Sequence, residues 1–365
     1  MQTNLAVRFL PLAALLLAPI MAGAQSGYTI TDLGSFNGNS YAYDINNKGQ
    51  VVGVSNTQSS NHAFLYSGGG LIDLGNPGVS DRPDRSITSG YALNDNGQVV
   101  GVYQYGTQTN TTSGGFLYQN GQIQAISINS PQAINNAGQI IGRDASRNPA
   151  VYQNGVITPL NLSLSDPHVT SDAFDINNGG VIVGDTGANN LPYGYYYQNG
   201  VEHLLPQLAS THPGAIARAI NDKGQIVGNA NNSDGNFGHA VLWQNGQIMD
   251  LGSLYGRGST AYDINNNGII VGEVGEANGD YGAFVYQNGQ MTDLLAGTLW
   301  RDGYATGIND SGQIVGFATL PSGYTHAFLA TPNAVPEPGS ALTFGVGIGV
   351  LLLAARRRKR NVLVR

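Results

Sequence analysis

The chain has 365 residues; 52 are Gly, 19 are Tyr, only 11% are charged, and none is Cys. Without Cys the protein has no disulfides, no thiol nucleophile and no Cys-attached haem. Residues 25–335 carry 9 Lys and Arg against 22 Asp and Glu, a formal net charge of −13. This acidic composition disfavours nucleic acid, whose phosphates need a basic surface, and it also disfavours anionic lipid.

The N-terminus has the pattern of a secretory signal peptide. Arg8 precedes an apolar run of about a dozen residues, which ends in Ala22-Gly23-Ala24. The pattern predicts a signal peptide over residues 1–24, with cleavage after Ala24. A retained membrane anchor is the alternative, but the apolar run is short for a membrane span.

One sequence unit then recurs seven times. Its clearest copy reads Ala261-Tyr-Asp-Ile-Asn265-Asn-Asn-Gly268-Ile-Ile-Val-Gly272 and continues, after a gap, as Ala283-Phe-Val-Tyr286-Gln-Asn-Gly289. The asparagine of the Ile-Asn or Leu-Asn pair returns at Asn46, Asn94, Asn135, Asn177, Asn221 and Asn309. The spacing of roughly 44 residues is typical of stacked supersecondary modules.

Each unit contains four short strand signals. The Asp-Ile-Asn run and the Val-Val-Gly run are separated by Asn, Asp and Gly, which suit hairpin turns because they tolerate positive φ. The second pair of strands flanks a Gly turn, with Gln-Asn-Gly at 119–121, 153–155, 198–200, 244–246 and 287–289. No 3.6-residue apolar period runs through residues 28–330. The sequence predicts an all-β, seven-bladed β-propeller over residues 25–331, with an open β-solenoid as the alternative.

The two ends of the repeat array complement each other. The seventh copy ends after His326-Ala-Phe-Leu329 without a fourth strand, whereas Tyr28-Thr-Ile-Thr-Asp-Leu-Gly34 is an unpaired strand at the start. If this N-terminal strand completes the last blade, the ring is sealed non-covalently. If each blade instead begins at the Asp-Leu-Gly strand, seven intact units still result. The sequence leaves both phases open, that is, both ways of dividing the strands into blades.

The body of the chain resembles the extracellular HAF repeats. The resemblance rests on the Asp-Ile-Asn-Asn-x-Gly pattern together with His62-Ala63-Phe64, His239-Ala240-Val241 and His326-Ala327-Phe328. It implies export and a repeat architecture, and it brings no activity. Only three of the seven copies carry the histidine, which argues against a ligand role shared by all repeats.

The C-terminus has three parts. Val335, Pro336, Glu337 and Pro338 precede an apolar, glycine-rich segment over residues 339–355 and a basic tail over 356–365. The segment is just long enough to span a bilayer, and the positive-inside bias keeps the tail cytoplasmic. This arrangement resembles the PEP-CTERM sorting signal of exopolysaccharide-producing Gram-negative bacteria. The resemblance implies a linker at 332–338, a transmembrane helix in the inner membrane, and cleavage by an exosortase. A plain membrane anchor is the alternative.

No cofactor is expected, and calcium is the alternative. Asp263-x-Asn265-x-Asn267-Gly268 imitates the start of a calcium loop, but Val274 stands where a bidentate Glu is needed. Asn and Asp side chains that cap their own turns explain the same pattern without a metal.

No catalytic motif is evident. None of the six histidines belongs to a nucleophile elbow, a His-Glu-x-x-His helix or a dense carboxylate cluster. We therefore expect no enzymatic activity. The alternative is a hydrolase or lyase, for which His168 or His212 is the nominal candidate.

A binding face is predicted from the lengths of the connections. Strands alternate in direction, so the connections after the second and fourth strands share one face, and these are long and variable at 76–90, 103–114 and 161–172. Long loops on a rigid scaffold are the usual place for binding. The aromatic and arginine residues selected as the candidate binding face are Arg82, Arg85, Tyr103, Tyr105, Tyr255, Arg257, Trp300, Arg301 and Tyr304.

Aromatic rings beside hydrogen-bonding side chains suit neutral or weakly charged glycans. The sequence thus favours an exported, surface- or matrix-associated binding propeller that engages exopolysaccharide or matrix protein, with an exosortase-type enzyme as its processing partner. The alternative is an extracellular glycan hydrolase or lyase, which predicts that two or more acid/base side chains converge at the central channel on the variable face.

Overall fold

The structure is a computed structural model, and it describes residues 27–333 except 59, 78–85, 108–109, 163–170, 189–190, 209–212 and 233–237. These residues form 28 strands and no helix. The predicted signal peptide at 1–24 and the predicted sorting segment from Val335 onward lie outside the described residues.

The first strand is followed by six groups of four strands and a last group of three. β1 (Tyr28–Gly34) comes first. Blades 1 to 3 comprise β2 (Ser40–Ile45), β3 (Val51–Asn56), β4 (Asn61–Ser67), β5 (Gly70–Asp73); β6 (Ile87–Leu93), β7 (Val99–Thr107), β8 (Asn110–Gln119), β9 (Gln122–Ile126); and β10 (Asn129–Ile134), β11 (Ile140–Arg143), β12 (Pro149–Gln153), β13 (Val156–Pro159). Blades 4 and 5 comprise β14 (Asp172–Ile176), β15 (Ile182–Ala188), β16 (Leu191–Gln198), β17 (Val201–Leu204); and β18 (Ala215–Ile220), β19 (Ile226–Asn231), β20 (Gly238–Gln244), β21 (Gln247–Gly252). Blade 6 comprises β22 (Ser259–Ile264), β23 (Ile270–Gly275), β24 (Tyr281–Gln287) and β25 (Gln290–Asp293), and blade 7 contains β26 (Arg301–Ile308), β27 (Ile314–Thr319) and β28 (Thr325–Pro332).

The seven sheets form a closed ring, which confirms the predicted seven-bladed β-propeller. Every sheet is antiparallel and has four strands in sequential order, except that β1 pairs with β28 and completes blade 7. The first strand of each blade contacts the first strands of both neighbouring blades, and β26 contacts β2. Of the two phases that the sequence left open, the protein therefore adopts the one sealed by its N-terminal strand.

The outer hairpins turn as their sequences require. In five blades the turn between the third and fourth strands has Asn followed by Gly, both with positive φ, as in Asn120 (52°) and Gly121 (78°). Two left-handed residues produce the turn whose twist matches that of the flanking strands. Blade 1 uses Gly68 and Gly69 in the same places.

The hydrophobic core lies between the blades. The cluster around Phe116 joins Val52 and Leu74 of blade 1 to Leu93 and Val99 of blade 2, and comparable clusters lie between the other neighbouring blades. Because apolar area is removed from water only when two blades stack, each blade depends on its neighbours for stability.

A close backbone contact explains why each Val-Val or Ile-Val pair is followed by Gly. The inner strand of every blade contains a bulge or register shift, and this brings one of its carbonyl groups over the Gly of the second strand. At Gly272, a Cβ atom would lie about 2.0 Å from the carbonyl oxygen of Thr260 and 2.8 Å from the ring of Phe284. Only Gly fits there.

One predicted loop is a hairpin instead. Residues 103–114 were expected to be a variable loop, but β7 and β8 continue through them, and Tyr103 pairs with Gly114 and Tyr105 with Thr112. Tyr and Thr have high strand propensity, and Tyr103, Tyr105, Thr107, Thr111 and Thr112 make up half of the paired residues here. Tyr103 and Tyr105 are therefore strand residues on an extended hairpin.

We expect Gly272→Ala to lower the free energy of unfolding by about 3 kcal/mol or more, because the added methyl group overlaps a backbone oxygen and a buried ring. Urea denaturation measures the effect. The matched control is Gly70→Ala in β5, where no atom lies within contact distance of the new Cβ atom and φ is not left-handed. Equal stability losses in the two variants would contradict this explanation.

Candidate functional site

The propeller has two unlike faces. We call the face formed by the turns after the first and third strands of each blade the turn face, and the opposite face, formed by the other connections, the loop face. The inner strands run from the loop face to the turn face and surround the central channel.

On the turn face, seven asparagines form a closed ring of hydrogen bonds around the axis. Each side-chain Nδ2 donates to the backbone carbonyl of the equivalent asparagine in the next blade at 2.9–3.1 Å, and Asn309 closes the ring by donating to Asn46. Each Oδ1 accepts the backbone N–H four residues later at 3.0 Å. These side chains cap their own turns, as the sequence suggested. The ring comprises Asn46, Asn94, Asn135, Asn177, Asn221, Asn265 and Asn309.

A second ring follows one residue later. The backbone N–H of each member donates to the side-chain oxygen of the next blade's member at 2.8–2.9 Å. Its members are Asn47, Asp95, Asn136, Asn178, Asp222, Asn266 and Asp310. Burial works against ionisation of Asp95, but hydrogen bonds from Asn136 and Asn47 outweigh it and hold the pKa of that carboxyl below its usual value. The polar groups at this mouth are therefore largely committed to structure.

Three carboxylates line the channel just inside the rings. Asp44, Asp175 and Asp263 each accept the N–H of the following residue at 2.7 Å and an N–H of the next blade at 2.8–2.9 Å. Burial raises the pKa of Asp44 to about 7 and that of Asp175 to about 6, and it raises the pKa of Asp263 well above its usual value. Asp44 and Asp263, together with the rings, line a cavity of about 180 Å³.

The three histidines of the His-Ala-Phe and His-Ala-Val sequences have a structural role. His62 Nδ1 donates to Asp73 at 2.8 Å across the outer strands of blade 1, and the same pairs form in blades 5 and 7, where they are His239–Asp250 and His326–Asp32. In the same three blades, a Ser or Thr hydroxyl from the next blade makes two hydrogen bonds. It accepts from the backbone N–H of the residue after the histidine, and it donates to the backbone carbonyl of the glycine two residues after the aspartate. We call each such set a clasp; its hydroxyls belong to Thr88, Ser259 and Ser40.

The loop-face half of the channel contains a cationic centre that the sequence analysis missed. The guanidinium of Arg218, on the inner strand of blade 5, lies between Phe174 of blade 4 and Tyr262 of blade 6, 5.8 and 5.3 Å from the ring centroids. Its Nε donates to Asn229 Oδ1 at 3.3 Å. Arginine between two aromatic faces is a favourable arrangement and a usual element of recognition surfaces.

Carboxylates surround Arg218 on both sides. In blade 4, Asp172 and Asp185 are directly opposed cross-strand partners, and Asp172 forms an ion pair with Arg143 of blade 3. Burial and the negative charge of Asp172 raise the pKa of Asp185 to about 7, although the positive charges of Arg218 and Arg143 act in the opposite direction. Asp185 is 9% exposed.

Glu273 occupies the blade 6 side. Burial raises the pKa of Glu273, although a hydrogen bond from Tyr262, the charge of Arg218 and a hydrogen bond from Thr260 work in the opposite direction. Glu273 also lines a loop-face cavity of about 220 Å³, shared with the candidate residue Arg257 and with Tyr281. Acidic, cationic and aromatic groups therefore meet across blades 3 to 6.

An aromatic cluster adjoins this cavity. Tyr304, one of the predicted residues, stacks on Phe317 at 4.9 Å and lies 5.4 Å from Tyr281, while Phe317 meets Tyr41 edge-on at 5.1 Å. Tyr255 donates to Asp293 at 3.1 Å, and burial together with Asp293 raises the pKa of Tyr255 to about 12. The structure thus brings Tyr255, Arg257 and Tyr304 to one sector of the loop face.

The remaining predicted residues do not join that sector. Tyr103 and Tyr105 stack on each other at 5.8 Å on blade 2. Trp300 packs inward against Phe328, and Arg301 is exposed at the start of β26. The nominal binding residues Arg82 and Arg85, the nominal catalytic residues His168 and His212, and the sorting motif at 335–338 lie outside the described residues.

A sequence signal for the missed residues does exist. Phe174, Arg218 and Tyr262 occupy the x position of the Ala-x-Asp-Ile-Asn motif, which varies between repeats while the Asn at its end is constant. The seven x residues, which we call the inner belt, are Tyr43, Tyr91, Gln132, Phe174, Arg218, Tyr262 and Thr306. A search confined to long loops passes over them.

In the part of the chain that the structure describes, no three His, Asp or Glu side chains are grouped closely enough to hold a metal ion. The same residues include no apolar helix of membrane-spanning length.

No family model and no curated protein sequence matches the chain. Among solved structures it is similar to YCF48 from Cyanidioschyzon merolae, with 10% identity and a TM-score of 0.50 over 84% of this chain and 99% of that one. It is also similar to the β-propeller domain of the Trilobed protease from Pyrococcus furiosus (11% identity, TM-score 0.49, 82% and 99% covered) and to Pyrococcus horikoshii acylaminoacyl peptidase (12%, 0.47, 86% and 55%). At such identities the similarity to YCF48 shows the propeller fold alone.

The buried Asp185 predicts a pH dependence of stability. Because its pKa is raised in the folded state, the protonated carboxyl favours folding at low pH, and this contribution is lost as pH rises towards 7. Between about pH 4 and pH 7, wild type should therefore lose at least about 1 kcal/mol more unfolding free energy than Asp185→Asn.

Urea denaturation at several pH values measures this difference. Asp95→Asn is a control of opposite sign, because the pKa of Asp95 is lowered in the folded state and its contribution is present at neutral pH. Identical pH profiles for wild type and Asp185→Asn would contradict the prediction.

Proposed function

We propose that the protein is an exported, non-catalytic binding propeller that engages exopolysaccharide or matrix protein through the loop-face sector of blades 4 to 7. The observation that carries this proposal is the contrast between the faces at the channel. At the turn-face mouth the polar groups are committed to two hydrogen-bonded rings, whereas the loop-face half holds Arg218 between two aromatic rings, beside the Tyr281–Tyr304 pair.

The chemistry of this sector suits a glycan. Tyr281 is 44% exposed, and its ring lies 5.4 Å from that of Tyr304 at an interplanar angle of 33°, which gives an apolar surface with hydroxyl groups at its edge. Sugar rings bind such surfaces through their apolar faces, while charged and amide groups nearby bond their hydroxyls. The net charge of −13 over residues 25–335 favours a neutral polymer over an acidic one.

Export and sorting enter the proposal through the sequence. The signal-peptide pattern, the similarity to HAF repeats and the PEP-CTERM-like tail together support a protein that is held in the inner membrane, cut by an exosortase-type enzyme and released to the surface or matrix. A clasped, disulfide-free propeller suits that environment because its stability depends on no redox condition.

We expect Tyr281→Ala and Tyr304→Ala each to weaken binding to exopolysaccharide purified from the producing organism by about tenfold, because each removes part of the stacking surface. Co-sedimentation of the purified full-length protein with the polymer measures this. Met249→Ala, which changes an exposed side chain on the outer strand β21, is the control and should bind as wild type does. Unchanged binding in both tyrosine variants would contradict a loop-face site.

The second candidate function is a glycan hydrolase or lyase at the same sector. It is favoured by the raised pKa of Asp185 and of Glu273, since a carboxyl group whose pKa is shifted towards neutral pH suits general acid or base catalysis. Assay of reducing ends in the same incubations separates the two functions. Binding without new ends supports the binding module, whereas new ends that disappear in Asp185→Asn or Glu273→Gln would make the protein an enzyme.

The sorting proposal has its own test. We expect Glu337→Gln to leave the protein in the inner-membrane fraction, because it alters the centre of the proposed recognition motif. Cell fractionation and the intact mass of the released protein measure the outcome. Wild-type protein at the surface that still carries residues 339–365 would support the plain anchor instead.

A further inference from the structure

A wide groove separates blades 4 and 5 on the turn face. Its volume is about 690 Å³, whereas the corresponding groove between blades 2 and 3 measures about 350 Å³. Small-molecule sites usually occupy several hundred cubic ångströms and combine apolar walls with a few polar groups. The groove therefore has the size of a ligand site, and the repeat structure shows how it arises.

The first cause is a substitution after the inner turn of blade 4. In five repeats a glutamine follows the turn glycine, and its side-chain amide lies against the turn glycine of the next blade, as Gln98 does at Gly138. Blade 4 has Val181 at this position. A Cβ atom added to Gly224 of blade 5 would have no neighbouring atom within 4 Å. All seven turn glycines are described, and only Gly224 is uncovered. The glutamines are Gln50, Gln98, Gln139, Gln225 and Gln313.

The second distinguishing feature of the groove is an aromatic pair on the outer strands of blade 4. Tyr196 and His203 are directly opposed across β16 and β17, and their rings stack at 4.6 Å with an interplanar angle of 12°. The equivalent pairs in the other six blades contain no aromatic residue. They are Leu65–Ile72, Leu117–Gln124, Val151–Thr158, Leu242–Met249, Val285–Thr292 and Leu329–Thr31.

The rest of the groove combines an apolar wall with amide groups and one carboxyl group, that of Glu202. Trp243 lies on the blade 5 side, where its indole N–H donates to the carbonyl of Pro206 at 2.8 Å, so the ring is fixed in place. Gln198, Gln244 and Asn245 lie at the rim. No Lys or Arg is among the lining residues, so the groove offers no permanent cation to an anionic ligand.

We propose that this groove binds one or two residues of a neutral saccharide. A pyranose ring has an apolar face that packs on the Tyr196–His203 pair, and its hydroxyl groups reach the amides of the rim. The absence of Lys and Arg disfavours uronic, sulfated or phosphorylated sugars. This site is distinct from the loop-face sector of the proposed function, and the two lie on opposite faces of the propeller. One molecule therefore holds two glycan segments.

The experiment uses purified full-length protein and a panel of glucose, galactose, mannose, rhamnose, N-acetylglucosamine, cellobiose and glucuronic acid. Saturation-transfer NMR detects binding, and the change in tryptophan fluorescence, to which Trp243 and Trp300 both contribute, gives the affinity. Val181→Gln restores the residue that five other repeats carry and fills the space beside Gly224. Tyr196→Leu with His203→Ile restores the pair of blade 1. Thr158→Ile, at the position of His203 in blade 3, is the matched control.

We expect at least one neutral sugar to bind. Val181→Gln and the double variant Tyr196→Leu with His203→Ile should each weaken its affinity by about tenfold or more, whereas Thr158→Ile should leave the affinity unchanged. Circular dichroism checks that each variant is folded. The proposal is overturned if no neutral sugar binds, if glucuronic acid alone binds, or if Val181→Gln binds as wild type does. The loop-face variant Tyr281→Ala should not alter binding in the groove, so failure of one site is distinguishable from failure of the other.

Discussion

The ring of seven asparagine side chains around the axis is the constraint on which the rest of the fold depends. Each side chain satisfies an N–H of its own turn and a carbonyl of the next blade, so an inner turn is complete only when its neighbour is present. The ring needs an asparagine with a glycine three residues later in every repeat, and all seven copies supply both. Buried polar backbone groups are costly when unpaired, and a closed ring leaves none of these carbonyls at an end. The N-terminal strand gives blade 7 its fourth strand, and Asn309 then meets Asn46.

With the axis held in this way, the outer parts of the blades are free to differ. The His–Asp clasps join blade 7 to 1, blade 1 to 2 and blade 5 to 6, through Ser40, Thr88 and Ser259. The interface between blades 4 and 5 has no such clasp among its described residues, and it is there that Arg218 reaches Phe174 and that the wide groove opens. Ser259 of the blade 5–6 clasp also lines the loop-face cavity, whereas the groove between blades 4 and 5 is separate from the three clasps. Functional groups that are held apart from the most constrained contacts are able to vary without loss of the fold.

Much of this architecture could be predicted from the sequence because it repeats. The blade number, the four strands, the Asn-Gly turns and the complementary ends follow from patterns that are periodic and local. The phase could not be predicted, because Tyr28–Gly34 is the same strand in both arrangements. Tyr103 and Tyr105 were placed in a loop because loop length was read from the distance between motifs, and an extended hairpin fills that distance equally well. Arg218 was missed because side chains of a regular strand alternate between its two faces. The bulge between Ala217 and Ala219 breaks this alternation and directs Arg218 into the channel.

The repeats also serve as internal controls for one another, which is why departures from the shared pattern are informative. Val181, Tyr196 and His203 are separated by 15 and 7 residues in the chain, and each alone would pass as ordinary variation. The sheet register places Tyr196 opposite His203, and the stacking of blades places Val181 beside the uncovered Gly224. Three independent departures then meet in one groove. At the other six blade interfaces a glutamine amide or Pro332 covers the turn glycine, and the equivalent outer-strand pairs contain no aromatic residue. Convergence in space of changes that are scattered in sequence indicates a site more strongly than any one of the residues does.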